Sequence, residues 1–236
     1  MECGLVQNLH CNGINVAGNE LMFGSDGADG YRGGDESSFL FGRGGADLLD
    51  GGNGDDFLEG GSGNDILSAG AGENTGRTDD VLTGGQGADT FVFTRDDLGQ
   101  SPNISIGGIT GSNTPDQIED FSPDDDVIAI VARDFGITGK VDYLTGKVGN
   151  LDGDGNVVVL QDSFKNGFEA AAELRDNQNF TGDEGFFVYF NENLGFNRLV
   201  YSEDLDDGGA ITVIANLPGS TLEDAAKFVD GDFVFI

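Results

Sequence analysis

Acidic side chains recur with a nine-residue period through the first third of the 236-residue chain. Eight segments align on one template, and seven of them carry an acid at the sixth place. Carboxylates stacked a few Å apart repel one another unless a cation lies between them. The column therefore predicts cation binding rather than a set of solvated loop residues. Its members are Glu20, Asp29, Ser38, Asp47, Asp56, Asp65, Asp80 and Asp89.

Glycine is typical of the first, second and fourth places of the template, and about half of the 41 glycines lie between residues 15 and 92. Glycine permits positive φ and close backbone approach, so such a loop can turn its carbonyls inward. Ca²⁺ takes about six to eight oxygen ligands at about 2.3–2.6 Å. Loop carbonyls and sixth-place carboxylates together supply such ligands, so the pattern favours calcium.

A bulky apolar column at the eighth place indicates the elements that position these loops. The three residues after each loop form a short strand whose central side chain points to one face. Such a strand is not stable alone, and only an array of stacked strands buries the column. Low-complexity disorder would not keep two columns in phase. The apolar column reads Met22, Tyr31, Leu40, Leu49, Leu58, Leu67, Leu82 and Phe91.

The segments Gly51–Glu59 and Gly60–Ser68 follow the GGxGxDxUx nonapeptide of the RTX (repeats-in-toxin) calcium-binding family. The chain therefore resembles a secreted RTX protein, which implies an all-β fold: a right-handed parallel β-roll with two repeats in each turn. Loops two repeats apart then stack and share an ion, which implies about four or five Ca²⁺ ions. The implied pairs are Asp29 with Asp47, Asp47 with Asp65, Asp65 with Asp89, and Asp56 with Asp80.

The resemblance also implies ligands from the first to fourth places of the loops, mainly backbone carbonyls. The seventh repeat carries six extra residues, Glu73–Thr78, read as an excursion that leaves Asp80 a ligand. The third repeat has Ser38 in place of aspartate, so its ion depends on substitution by Asp35 or Glu36. The implied loop ligands are Gly24, Asp26, Gly42, Arg43, Gly44, Gly45, Gly51, Asn53, Gly60, Gly61, Ser62, Gly63, Gly70, Gly72, Gly85 and Gly87.

Three segments are expected: residues 1–14, a roll over 15–93, and a mainly β cap over 94–236. Asp116–Ile130 is similar to the segment that closes RTX rolls in serralysin-like proteases, and its alternation suits strands that cover the last turn. A short helix is predicted near Phe168–Arg175. Further strands are predicted at Asn156–Gln161, Gly185–Phe190, Arg198–Tyr201 and Ala210–Ala215.

Composition excludes several classes of function. The 43 acidic against 11 basic residues give a formal charge of −32, which repels nucleic acid and anionic membranes. No apolar run approaches the length of a membrane span. His10 is the sole histidine, so HExxH zinc chemistry is excluded, as is a Ser–His–Asp site in the cap. A carboxylate-pair glycosidase stays compatible with the composition, although no pair stands out.

Weaker motifs are read as structural. Asp152–Asn156 begins like an EF-hand loop but lacks the later glycine and glutamate, which favours a turn. Asp204–Gly208 is likewise read as an acidic turn. For Cys3 and Cys11, a disulfide suits an exported protein, while free or intermolecular thiols stay open.

The C-terminal Val229–Ile236 resembles the uncleaved signal of type I secretion substrates, and no N-terminal signal peptide is visible. The resemblance implies an extracellular or surface protein of a Gram-negative-type bacterium. Because 14 residues precede the repeats, no catalytic domain is expected there. The sequence therefore predicts a non-enzymatic, calcium-dependent structural protein that self-associates head to tail in a surface layer, matrix or filament. The alternative is a calcium-dependent adhesin or glycan-binding module for cell-surface polysaccharide.

Overall fold

Short strands dominate the computed structural model of the protein. It describes residues 13–16, 19–71, 80–95, 104–106, 109–111, 115–138 and 140–236. Cys3, His10, Cys11 and the excursion Glu73–Thr78 lie outside the described residues. Among the described residues, no helix combines the length and apolar character that crossing a membrane requires.

The repeats supply the strands of the first half. From β3 onward, each strand begins just after a sixth-place residue or at it, and the longer ones run into the following glycine loop. They are β1 (Gly13–Val16), β2 (Asn19–Phe23), β3 (Gly30–Arg32), β4 (Ser38–Gly44), β5 (Leu48–Asn53), β6 (Phe57–Ser62), β7 (Ile66–Ala71), β8 (Val81–Gln86) and β9 (Thr90–Phe93).

The remaining strands are β10 (Ile104–Ile106), β11 (Ile109–Gly111), β12 (Asp116–Ile118), β13 (Val127–Ile130), β14 (Tyr143–Gly146), β15 (Gly153–Asp154), β16 (Val157–Phe164), β17 (Phe180–Thr181), β18 (Gly185–Asn191), β19 (Phe196–Ser202), β20 (Ile211–Leu217) and β21 (Phe233–Phe235). The α-helices are α1 (Gly167–Asp176) and α2 (Leu222–Ala225), and 3-10 turns cover Ala132–Phe135, Val148–Asn150 and Asp230–Asp232.

Alternate repeats enter two different sheets, which we call sheet A and sheet B. In sheet A, β2, β4, β6 and β8 pair in parallel, and in sheet B, β3, β5, β7 and β9 do the same. Leu40 pairs with Leu58, and Leu49 pairs with Leu67, so each partner lies two repeats along the chain. Two repeats therefore complete one turn, and the expected parallel β-roll is confirmed.

The eighth-place column forms the core between the two sheets. The members from Leu40 to Phe91 have no exposed surface, and Met22 and Tyr31 at the N-terminal end are each 5% exposed. The neighbouring seventh-place residues point outward, as Leu48 shows with 53% exposure. Period-2 alternation within each short strand thus separates the core from the surface.

Both sheets continue beyond the repeats into the C-terminal part. In sheet A, β12 pairs in parallel with β8 and with β20, and the sheet runs on through β19, β18, β16 and β14. In sheet B, β13 pairs with β9 and β21 pairs with β13, all in parallel. The strands predicted between residues 156 and 215 and the helix near 168–175 are present as β16, β18, β19, β20 and α1.

Two leucines in β5 test the alternation between core and surface. Leu49→Ala is expected to lower the free energy of unfolding of the calcium-loaded protein by about 2–5 kcal/mol, because it opens a cavity between the sheets. Leu48→Ala, the adjacent outward residue, is expected to stay within about 0.5 kcal/mol of wild type. Urea unfolding at fixed calcium measures both, and equal losses would contradict this assignment of faces.

Candidate calcium sites

Five aspartates form one column along an edge of the roll, which we call the first column. The backbone N–H of Asp29 donates to Oδ1 of Asp47 at 2.7 Å, and the Asp47 N–H donates to Asp65 Oδ1 at 2.8 Å. The Asp65 N–H donates to Asp89 Oδ1 at 2.8 Å, and the Asp89 N–H donates to Asp126 Oδ1 at 2.9 Å. Each carboxylate therefore reaches the equivalent residue one turn earlier.

The opposite edge carries the second column, which consists of Ser38, Asp56, Asp80 and Asp116. The Ser38 N–H donates to Asp56 Oδ1 at 2.6 Å, and the Asp56 N–H donates to Asp80 Oδ1 at 2.6 Å. The Asp80 N–H donates to Asp116 Oδ1 at 3.2 Å. Both columns thus use the same ladder, but the second begins with a serine.

The second carboxylate oxygen of three column residues is buried and accepts no hydrogen bond. These atoms are the Oδ2 atoms of Asp47, Asp56 and Asp65, in side chains that are 1–3% exposed. A buried polar atom without a partner is costly, and a buried charge more so. The columns therefore have the electrostatic character of cation sites whose ligands are already in place.

Backbone carbonyls converge on the same oxygens. A Cβ on Gly60 would collide with Asp65 Oδ2 and would lie 2.7 Å from the Gly84 carbonyl oxygen of the next turn. A side chain on Gly51 would meet Asp56 Oδ2 and the Ala69 carbonyl in the same way. First-place glycine thus leaves open a space between a carboxylate and a carbonyl. This oxygen-only donor set fits Ca²⁺, a hard cation with oxygen ligands.

Burial raises the pKa of the column carboxyls. For Asp47, Asp65 and Asp89, burial is the largest cause of the raised pKa, and backbone N–H donors oppose it. Repulsion from the carboxylate one turn earlier raises each pKa further. Burial is also the largest cause for Asp56, whose pKa rises to about 7, and for Asp126, whose pKa rises to about 6. These groups therefore hold their negative charge against a desolvation penalty that a bound cation would offset.

From the fourth repeat onward, the second-place residues of the loops adopt left-handed backbone. Gly61 has φ 109°, and Arg43, one turn earlier, has φ 76° as the one non-glycine residue with positive φ in the described part of the chain. A Cβ on Gly61 would collide with the Arg43 carbonyl oxygen. Close stacking of the loops therefore requires glycine at Gly61, whereas the strain of positive φ is tolerated at Arg43.

The structure places the implied loop ligands beside the two columns. Their assignment as calcium ligands stays a prediction, and Gly72 lies outside the described residues. The Ser62 carbonyl accepts the Gly45 N–H at 2.8 Å, so this oxygen also ties one loop to the next. The first-column loops hold Gly24, Asp26, Gly42, Arg43, Gly44, Gly45, Gly60, Gly61, Ser62, Gly63, Gly85 and Gly87, and the second-column loops hold Gly51, Asn53 and Gly70.

The third repeat does not replace its missing carboxylate. Ser38 is fully buried in the second column, and its hydroxyl donates to the Glu36 carbonyl at 3.3 Å. Asp35 and Glu36 are both exposed, and Asp35 Oδ1 accepts the Asn53 side-chain amide at 3.0 Å. Both acids therefore face solvent instead of the column.

The sequence reasoning missed three acids that close the columns. Asp116 and Asp126 continue the ladders, and Asp120 accepts the N–H groups of Gly84 at 2.9 Å and Gly85 at 2.8 Å. All three lie in the closing segment, whose strands were predicted but whose acids were not assigned. The sequence feature that could have identified them is the set of three aspartates, Asp116, Asp120 and Asp126, in this closing segment.

The predicted turn at Asp204–Gly208 is present, whereas Asp152–Asn156 contains the short strand β15, which pairs in parallel with β17, instead of the predicted turn. Asn156 holds its loop through Oδ1, which accepts the Asp142 N–H at 2.8 Å. In the other motif, Asp204 Oδ1 accepts the Asp207 N–H at 2.9 Å. Carboxylate oxygens of Asp204, Asp206 and Asp207 lie within 4.8 Å of one another, which is close enough for repulsion between these partly exposed acids.

Stacked glycine loops, buried aspartate columns and two parallel sheets together define a calcium-binding β-roll. The family model of the RTX calcium-binding nonapeptide repeat (4 copies) matches residues 23–58, 41–75 and 74–97. This segment of the chain consists of RTX repeats, as the nonapeptide pattern predicts. Repeats of this family bind Ca²⁺.

Two solved structures are similar to most of the chain. The AlgE6R2 subunit of the Azotobacter vinelandii mannuronan C5-epimerase is 24% identical, with 89% of this chain and 92% of that chain covered and a TM-score of 0.40. The AlgE6R3 subunit of the same enzyme is 26% identical, with coverages of 90% and 80% and a TM-score of 0.32. No curated protein matches the chain.

The raised pKa values predict opposite pH dependence with and without calcium. The folded-state pKa of Asp56, about 7, lies above its ordinary value of 3.8, so protonation favours the folded roll. Without calcium, stability is expected to be greatest below about pH 4 and to fall as pH rises toward 7. With calcium, stability is expected to rise over the same range, because the ion displaces the protons. Circular dichroism of thermal unfolding measures both curves, and parallel curves would contradict the sites.

An isosteric pair of substitutions tests a single column residue. Asp65→Asn keeps the oxygen that accepts the Asp47 N–H but removes one ligand charge, so the calcium midpoint of folding is expected to rise by about tenfold. Glu59→Gln, on the exposed face of β6, removes an equal charge outside the columns and is expected to leave the midpoint unchanged. Calcium titration followed by circular dichroism compares them. Equal shifts would mean that net charge, rather than the column, controls folding.

Proposed function

We propose that the protein is a secreted structural protein whose folding is driven by calcium and which assembles head to tail outside the cell. The observation that carries the calcium step is the row of buried, unpartnered carboxylate oxygens at Asp47, Asp56 and Asp65. Asp47 and Asp65 lie one turn apart in the first column, and Asp56 lies half a turn from each of them in the second column. Ion binding at one turn therefore favours the stacking of the next.

The difference in calcium concentration between the cytosol and the cell exterior determines where the protein folds. In the cytosol calcium is scarce, and repulsion among 43 acids favours an extended chain that an export channel can thread. Outside the cell, calcium binds the folded roll and not the unfolded chain, so its binding free energy becomes folding free energy. The C-terminal strand β21 pairs with β13 in sheet B, so a type I export signal there would be read before folding.

The outer strands of sheet B, which pair on one side only within the described part of the chain, support head-to-tail assembly. Sheet B ends at β3 on one side and at β21 on the other, and every pair within it is parallel. An exposed sheet edge offers unpaired backbone groups to another chain. Because the two edges differ, contact between them is heterologous and propagates as a filament. The 5% exposure of Met22 and Tyr31 means that this contact would join strand edges, not an exposed core.

Calcium titration with two simultaneous readouts tests folding and assembly separately. We expect circular dichroism to show a coil-to-β transition and light scattering to show growth in particle mass over the same calcium range. Magnesium serves as the matched control ion, because it demands octahedral geometry and keeps its water ligands. No transition would refute calcium-driven folding, and a transition without mass growth would refute assembly while retaining the calcium-binding roll.

A further inference from the structure

An open groove of about 410 Å³ runs along the outer side of sheet B, where its strands enter the second-column loops. One wall carries Arg32, Asp50 and Ser68, the ninth-place residues of three successive turns. The other wall carries Asp35 and Asn53 of the loops. The groove therefore crosses several turns of the roll instead of lying within one.

Glycines keep the floor of the groove bare. Gly34, Gly52 and Gly70 line it, one from each loop. A Cβ on Gly52 would lie 2.6 Å from the Gly34 carbonyl oxygen, and one on Gly70 would collide with the Gly52 carbonyl. Stacking of the loops thus forbids side chains on two floor positions. The depth of the groove follows from the repeat itself.

The side chains that line the groove are mixed hydrogen-bond donors and acceptors. Arg32 Nε lies 3.2 Å from Asp50 Oδ2, which leaves further guanidinium N–H groups on a side chain that is 78% exposed. Asn53 Nδ2 donates to Asp35 Oδ1 at 3.0 Å, so both pairs are held in place before a ligand arrives. Among the described residues that line the groove, none has an aromatic or aliphatic side chain. This chemistry suits hydroxyl groups.

The net charge of the protein and the spacing of its strands further restrict the class of ligand that the groove could bind. A formal charge of −32 disfavours a polyanion. Neighbouring strands lie about 4.7–4.9 Å apart, so the wall residues repeat at that spacing along the groove. We propose that this groove binds an uncharged linear polysaccharide, with successive sugar residues meeting successive turns. The column residues Ser38 and Asp56 do not line it, whereas the loop residues Asn53 and Gly70, which are implied calcium ligands, do, so the groove borders the calcium loops of the second column.

A matched pair of phenylalanine substitutions tests the groove. Ser68→Phe fills it, whereas Thr83→Phe places the same side chain at the ninth place on the outer face of sheet A. Phe23 and Phe41 already occupy that place on sheet A and stack at 5.1 Å between ring centroids, so the roll accommodates the side chain. Retardation in native gels containing hydroxyethyl cellulose, dextran or polygalacturonate, all with millimolar calcium, gives the affinities.

Retardation of wild type by an uncharged polymer is expected, with Ser68→Phe about tenfold weaker and Thr83→Phe unchanged. The proposal rests on calcium-driven folding, so circular dichroism of the same samples separates the two: an unfolded protein refutes the proposed function, and a folded protein without retardation refutes the groove. Binding to polygalacturonate alone, or equal effects of the two substitutions, would also overturn the proposal.

Discussion

Repulsion between stacked, buried carboxylates is the constraint on which the rest of this structure depends. Parallel strands bring Asp47, Asp65 and Asp89 into register, and that register supplies each carboxylate with an N–H donor from the previous turn. The same register places like charges next to one another in a desolvated setting, which raises their pKa values. Stacking therefore carries an electrostatic cost that a bound cation would offset, and the converging carbonyls fit calcium.

The nine-residue period makes this constraint and the hydrophobic core inseparable. The sixth-place acid and the eighth-place apolar residue lie two positions apart, so both side chains point to the inner side of the strand. Leu49 and Leu67 can pack only if Asp47 and Asp65 also stack. Burial of the core and burial of charge thus oppose each other at every turn. A bound cation would shift this balance toward the folded state at each turn.

The repeats were predictable from sequence because their information is local and periodic. Spacing identified the column aspartates and the core, and the resemblance to RTX repeats implied the pairing two repeats apart. The ends of the columns escaped the same reasoning, because Asp116 lies 36 residues beyond Asp80, and Asp126 lies 37 beyond Asp89. Sequence reasoning could not predict the strand order β12-β20-β19-β18-β16-β14 either, because pairing between distant segments produces no periodic pattern in the sequence. The groove depends on outward residues such as Arg32 and Ser68, which follow no pattern from turn to turn.

The closing segment shows how a periodic structure ends without another repeat. Within the roll, the Gly33 N–H donates to the Asp50 carbonyl, and the Gly24 N–H donates to the Phe41 carbonyl of the adjacent turn. At the last loop, Gly84 and Gly85 instead donate to both oxygens of Asp120. A single carboxylate there satisfies two N–H groups that would otherwise lack acceptors. It also adds negative charge beside Asp89 and Asp126, which raises their pKa values further. The end of the roll thereby combines a satisfied backbone with the same accumulation of buried negative charge as its interior.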